Sequence, residues 1–209
     1  MGLTLYHHPF SRAANVVWML EEVGCEYTLE YVDLAAGAHK KPPLRDLNPM
    51  GKLPVLVDGD AIVTEVAAIG LYLADRYAPG RLAPALDAPK RAPFLRWSFY
   101  SPSVIEPGCA AKASSAEYRS SSVGWGTYDE MLDAITAAIG DGPWLLGDTF
   151  SMADVIFGGT VRWMTQFGML ERRPEYMAYV DRLNARPASK RAQEINAGVI
   201  EERGLSRGG

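Results

Sequence analysis

A chain of 209 residues has room for one large core or two modest ones. With 48% hydrophobic and 22% charged residues it is composed to fold rather than to stay disordered. A formal net charge of -4 without a basic stripe argues against nucleic acid as a partner, and no stretch approaches the ~20 apolar residues that span a bilayer. The start, MGLTLYHHPF, lacks the basic and apolar regions of a signal peptide, so a cytoplasmic protein is expected. Cys25 and Cys109 are the only cysteines, too few for a disulfide framework or a metal site, and no metal is expected. Cys25 follows Gly24 without a CxxC partner, which disfavours thiol redox chemistry.

In chain order, Leu3 to His7 reads as a short buried strand, and Ser11 to Val23 carries apolar residues at helical spacing up to Gly24. Tyr27 to Leu34 alternates as a second strand. Leu53 to Val57 and Ala61 to Val63 flank Asp58-Gly59-Asp60 as a hairpin. Glu65 to Tyr77 is periodic and ends before Pro79-Gly80. The Pro- and Ala-rich segment from Arg81 to Pro93 reads as a connection between domains. Beyond it, Trp97 to Val104, Thr127 to Ile139, Ser151 to Phe167 and Pro174 to Ala185 have helical patterning. Breaks are expected at Pro102, Pro107, Gly140-Asp141-Gly142-Pro143 and Pro187. Ala113 to Gly126, rich in small polar residues, reads as a loop. Ser151 and Asp154 have capping-box spacing, a folding device without a chemical role.

The most specific stretch is Asn48-Pro49-Met50-Gly51-Lys52-Leu53-Pro54-Val55-Leu56, followed by Thr64-Glu65-Val66-Ala67-Ala68-Ile69 and Tyr72-Leu73. An Asn-Pro loop entering a strand through a second proline, then an acidic residue opening a helix, resembles the glutathione transferases. Phe150-Ser151-Met152-Ala153-Asp154 is similar to that family's helical-domain cap, so the resemblance spans nearly the whole chain. It implies an α/β thioredoxin-like domain of order βαβαββα over residues 1–80, a linker over 81–93, and an all-α helical bundle over 94–209. It also implies a homodimer, and a detoxifying enzyme that uses glutathione as co-substrate. The second substrate is then an apolar electrophile or a peroxide, shaped for by the helical domain. The same fold serves non-catalytic binding and regulatory proteins, so a binding module is the competing expectation.

The resemblance also implies roles. Leu53-Pro54 is expected to be cis, after which Val55 offers backbone N-H and C=O to the cysteinyl residue of glutathione as an added strand edge would. Thr64, Glu65 and Val66 stand at a helix N-terminus, where unpaired N-H groups attract the γ-glutamyl carboxylate while Glu65 faces the amine. The family has Ser or Thr at position 66, so Val66 removes one hydroxyl donor. Lys52, with help from His39 and Lys40, is placed to meet the glycyl carboxylate. For the thiol, Ser11 resembles the serine of the theta-, delta- and zeta-like classes. Tyr6 falls near the position of the phenol in the tyrosine-using classes, and Arg12 lends electrostatic support to either. Ser11 alone also reads as a plain N-cap.

Overall fold

The computed structural model describes residues 2–140 and 142–206. Asp141 of the expected break, and the first residue and last three residues of the chain, lie outside them. Two compact units are present: Met1–Tyr77 together with Pro187–Gly209, and Ala78–Arg186.

The first unit opens β1 (Leu3–His7), α1 (Ala13–Val23), β2 (Tyr27–Tyr31), a 3-10 turn (Ala38–Lys40) and α2 (Leu44–Leu47). It continues through β3 (Val55–Asp58), β4 (Ala61–Thr64) and α3 (Val66–Tyr77), which is the expected βαβαββα order. The sheet runs β2-β1-β3-β4, with β1 and β2 parallel and the other two pairs antiparallel. Alternation sorts the side chains of β1. Leu3, Leu5 and His7 are buried on one face. Tyr6 points to the other, where it joins Val32, Leu44 and Val55. α1 is buried along most of its length and ends at Gly24, whose φ of 76° lets its N-H close on the Leu20 carbonyl at 2.8 Å. Its one buried acid, Glu22, accepts from the Trp18 indole at 2.9 Å.

The second unit contains α4 (Arg91–Tyr100), α5 (Glu106–Ala113), α6 (Tyr128–Ile139), α7 (Met152–Gln166) and α8 (Pro174–Asn184). Pro102 and Pro107 do not break the chain as expected. A π-helical segment, Ser101–Ile105, joins α4 to α5. The wider turn tolerates the N-H that Pro102 lacks, and the Ser103 hydroxyl bonds the Phe99 carbonyl. α6 starts in a capping box between Thr127 and Glu130. Asp154 does more than cap α7. Its Oδ2 accepts from the Ser151 N-H at 2.9 Å and hydroxyl at 3.2 Å, while Oδ1 accepts from the Leu145 N-H and the Tyr179 hydroxyl, each at 2.9 Å.

The largest departure from the sequence reading is α9 (Pro187–Glu202). Pro187 starts this helix, where a missing N-H costs nothing, rather than only ending the previous one. Although 94–209 is expected to form a single helical domain, α9 packs on α1 and belongs to the first unit. Arg191 Nε meets Glu21 Oε2 at 2.8 Å, and the Arg203 guanidinium lies over the Tyr31 ring at 4.9 Å.

Candidate functional site

Register brings the site together. Tyr6 of β1 is opposite Val55 of β3, and Val55 is opposite Thr64 of β4, so the three form one row across the sheet. β3 runs antiparallel to both neighbours. The chain leaving β1 toward Ser11, the chain entering β3 from Lys52, Leu53 and Pro54, and the chain leaving β4 into Glu65 and Val66 therefore all lie at the same end of the sheet.

The loop before β3 is held by short-range bonds. Buried Asn48 donates through Nδ2 to the Lys52 carbonyl at 3.0 Å and accepts at Oδ1 from the Met50 N-H at 3.1 Å. Gly51 has φ 55°, and a Cβ there would stand 2.7 Å from the His39 carbonyl oxygen, so only glycine fits both the turn and the close approach. That contact seats the 3-10 turn carrying His39 and Lys40 against the loop, and Lys40 Nζ donates to the Met50 carbonyl at 2.9 Å. His39 Nδ1 is buried without a partner among the described residues. Lys52 is exposed.

Leu53-Pro54 is cis, as the resemblance implies, and Pro42-Pro43 is cis as well. The role given to Val55 needs correcting. Val55 is flanked by strands on both sides, and in an antiparallel ladder a residue directs its N-H and C=O to one of those neighbours. Leu53 precedes the ladder, so the backbone able to act as a strand edge is that of Leu53. Glu65 connects β4 to α3 at φ 67°, a left-handed conformation that is costly for a residue with a Cβ. It turns the chain so that Val66 opens α3 immediately beyond the row.

Ser11 ends a tight turn after β1. Its N-H donates to the His8 carbonyl at 3.0 Å, its hydroxyl donates to the same oxygen at 2.8 Å, and its Oγ accepts from the Ala13 N-H at 3.2 Å. Arg12, at the N-cap of α1, is exposed. His8 is buried, accepts at Nδ1 from the Phe10 N-H at 3.1 Å, and has the Tyr31 ring at 5.6 Å. Burial holds both His7 and His8 below their ordinary pKa, so the end of β1 carries neutral imidazoles near neutrality. Tyr6 packs through its ring against the Val32, Leu44 and Val55 cluster. Burial pushes the Cys25 thiol up and the Cys109 thiol up to about 11, which leaves both poorly suited to nucleophilic work. The sequence reading missed His8 and the α9 residue Asn196, which reaches His7. Neither stands in a motif.

The family described as Glutathione S-transferase, N-terminal domain, matches residues 1–75, and Glutathione S-transferase, C-terminal domain, matches residues 83–182. Among curated proteins the chain is similar to Glutathione S-transferase 3 of Zea mays, at 32% identity over 89% of this chain and 90% of that one. Among solved structures it is similar to a glutathione transferase of Phanerochaete chrysosporium in complex with oxidised glutathione. There the TM-score is 0.78 and the identity 25%, over 94% of this chain and 97% of that one. A glutathione transferase homologue from Sulfitobacter with bound glutathione aligns at TM-score 0.72 and 25% identity, over 92% and 97% of the two chains.

Proposed function

The chain belongs to the glutathione S-transferase family, and on that premise we propose that it is a glutathione transferase that binds glutathione at the Tyr6-Val55-Thr64 end of its sheet. The observation that carries the reading is the convergence of three chain segments there, each with groups suited to one part of the tripeptide. Leu53, outside the ladder, pairs with the cysteinyl backbone. The first N-H groups of α3 receive the γ-glutamyl carboxylate, with Glu65 toward the amine. Lys52, beside the turn of His39 and Lys40, meets the glycyl carboxylate.

Ser11 is the residue we assign to the sulfur. A thiol with the free-cysteine pKa of about 8.5 must drop by one to two units to ionise near neutrality, about 1.4 to 2.7 kcal/mol. One hydrogen bond to a charged partner supplies about 1.5 to 3 kcal/mol. The hydroxyl rests on the His8 carbonyl, and rotation about Cβ-Oγ transfers its single donor to the sulfur. Little is lost, because that carbonyl keeps the Ser11 N-H and Oγ can keep the Ala13 N-H. In the reaction the S-H proton passes to water and Ser11 and Arg12 stabilise the thiolate. A carbon-sulfur bond then forms at the electrophile as its leaving group departs with the displaced electron pair. Tyr6, with its ring in an apolar cluster, is assigned to packing. Detoxification of an apolar electrophile or a peroxide, a cytoplasmic setting and a homodimer belong to the same proposal.

Ser11→Ala should raise the pKa of bound glutathione by about one unit and lower turnover at neutral pH, with affinity much less affected. Tyr6→Phe should leave that pKa unchanged. Thiolate ultraviolet absorbance against pH reads both, and a shift in the tyrosine variant alone would transfer the role to Tyr6. The second reading, a non-catalytic binding module, draws on Val66, which supplies no hydroxyl to the carboxylate. Titration calorimetry decides whether the site binds at all, since no heat at millimolar glutathione would remove the transferase reading.

A further inference from the structure

In the Ser11 turn the Phe10 N-H donates to His8 Nδ1, and the Ser11 N-H and hydroxyl donate to the His8 carbonyl. Ser11 in turn accepts from the Ala13 N-H at Oγ and from the Ala14 N-H at its carbonyl, so the turn links the last residue of β1 to the first turn of α1. One side chain from α9 binds both ends. Asn196 Oδ1 lies 2.7 Å from His7 Nε2, and Asn196 Nδ2 donates to the Ala14 carbonyl at 3.3 Å and to the Ala192 carbonyl at 2.7 Å. The two carbonyls require the amide nitrogen on their side, which turns Oδ1 to His7 and requires Nε2 to carry a proton. Since burial favours the neutral ring, His7 is the Nε2-H tautomer, and it satisfies the amide in full.

We propose that Asn196 is a positioning residue for Ser11, clamping His7 and Ala14 so that the turn between them presents the hydroxyl to the glutathione sulfur. The proposal rests on the assignment of Ser11 made above. Its physical basis is that a hydrogen bond to a thiolate needs the donor within a few tenths of an ångström, and a turn held at only one end does not keep that tolerance. The clamp is distinct from general docking of α9. Arg191 fastens the same helix to Glu21 near the far end of α1, remote from the turn, through a half-exposed ion pair of the kind that contributes little.

Asn196→Ala and Arg191→Ala separate the two. Amide hydrogen exchange at Ser11, Ala13 and Ala14 should quicken about tenfold in the Asn196 variant and stay unchanged in the Arg191 variant. The thiol pKa of bound glutathione should rise by about half a unit in the Asn196 variant, with affinity changed less than about threefold. If Asn196→Ala does not fold, Asn196→Asp is measured instead, because it keeps the acceptor for His7 and loses the donors to Ala14 and to Ala192 of its own helix. Exchange at the three amides equal to wild type, or equally fast in both α9 variants, would overturn the clamp. Ser11→Ala measured alongside separates the two ideas. If it moves the thiol pKa while a loosened turn in the Asn196 variant does not, the positioning role is refuted. If Ser11→Ala moves nothing, the Ser11 assignment fails and the clamp stands or falls on exchange alone.

Discussion

At the scale of single residues, hydrogen-bond capacity decides what the site can do. Val66 offers only its N-H where a serine would add a hydroxyl, so Val66→Ser should tighten glutathione binding by about 1 kcal/mol, near fivefold in Kd. Titration calorimetry reads the change, and equal or weaker affinity would place the γ-glutamyl carboxylate elsewhere. His7 makes a second test. Burial first, then neighbouring His8, lowers its pKa, while the bond to Asn196 raises it, and the net direction is down from 6.5. The unfolded chain therefore takes up the proton more readily. Stability should fall as pH drops below 6.5 and level off once the folded pKa is passed. His7→Gln should flatten this part of the profile, as followed by urea midpoints across that range. Lys52 and Glu65 are singled out in the sequence because they stand in a dense motif, and Ser11 by its resemblance to the serine of the theta-, delta- and zeta-like classes. That Val55 lies inside the ladder and Leu53 before it is not legible there, since it depends on which residue is the last to pair with β1 and β4.

At the scale of elements, the strands and most helices follow from periodicity and punctuation. Gly24 ends α1 and Asp58-Gly59-Asp60 turns the hairpin, each through a local conformational preference. The π segment escapes such reading, because a proline breaks a regular helix unless the turn around it widens, and widening depends on what the freed carbonyls meet. Asp154 shows the same limit on the energetic side. Spacing identifies a cap, worth about 0.5 to 2 kcal/mol. In the fold the same carboxylate also serves Leu145 and Tyr179 in a fully buried position, and burial raises its pKa against the pull of its four donors. Asp154→Ala should thus cost more than a cap, about 3 kcal/mol, because it strands buried donors. Urea unfolding would show this as a lower midpoint, and glutathione affinity should remain intact below the transition. A selective loss of affinity at full stability would contradict the structural role.

At the scale of the whole molecule, each unit leaves large apolar side chains in water. Met50 is 68% and Ile62 49% exposed in the first, Phe99 50% and Leu86 82% in the second. Surfaces of this kind are expected to be covered by a second copy of the chain, as the family resemblance implies. Light scattering at micromolar concentration should return twice the 22.8 kDa chain mass, and Met50→Lys should shift the equilibrium toward monomer. A wild-type mass of one chain would refute the dimer. The sequence by itself determines the strands, the helices after β1 and after the hairpin, and the helical character of the chain beyond the Pro- and Ala-rich connection, because each rests on interactions between residues close in the chain. The full βαβαββα order with its short α2 is implied by the family resemblance. Tertiary structure alone decided that α9 joins the first unit and that Asn196 meets His7 across 189 positions. A polar contact of that separation leaves no periodicity and no turn signal, and it exists only once α1 has given α9 a surface to pack on.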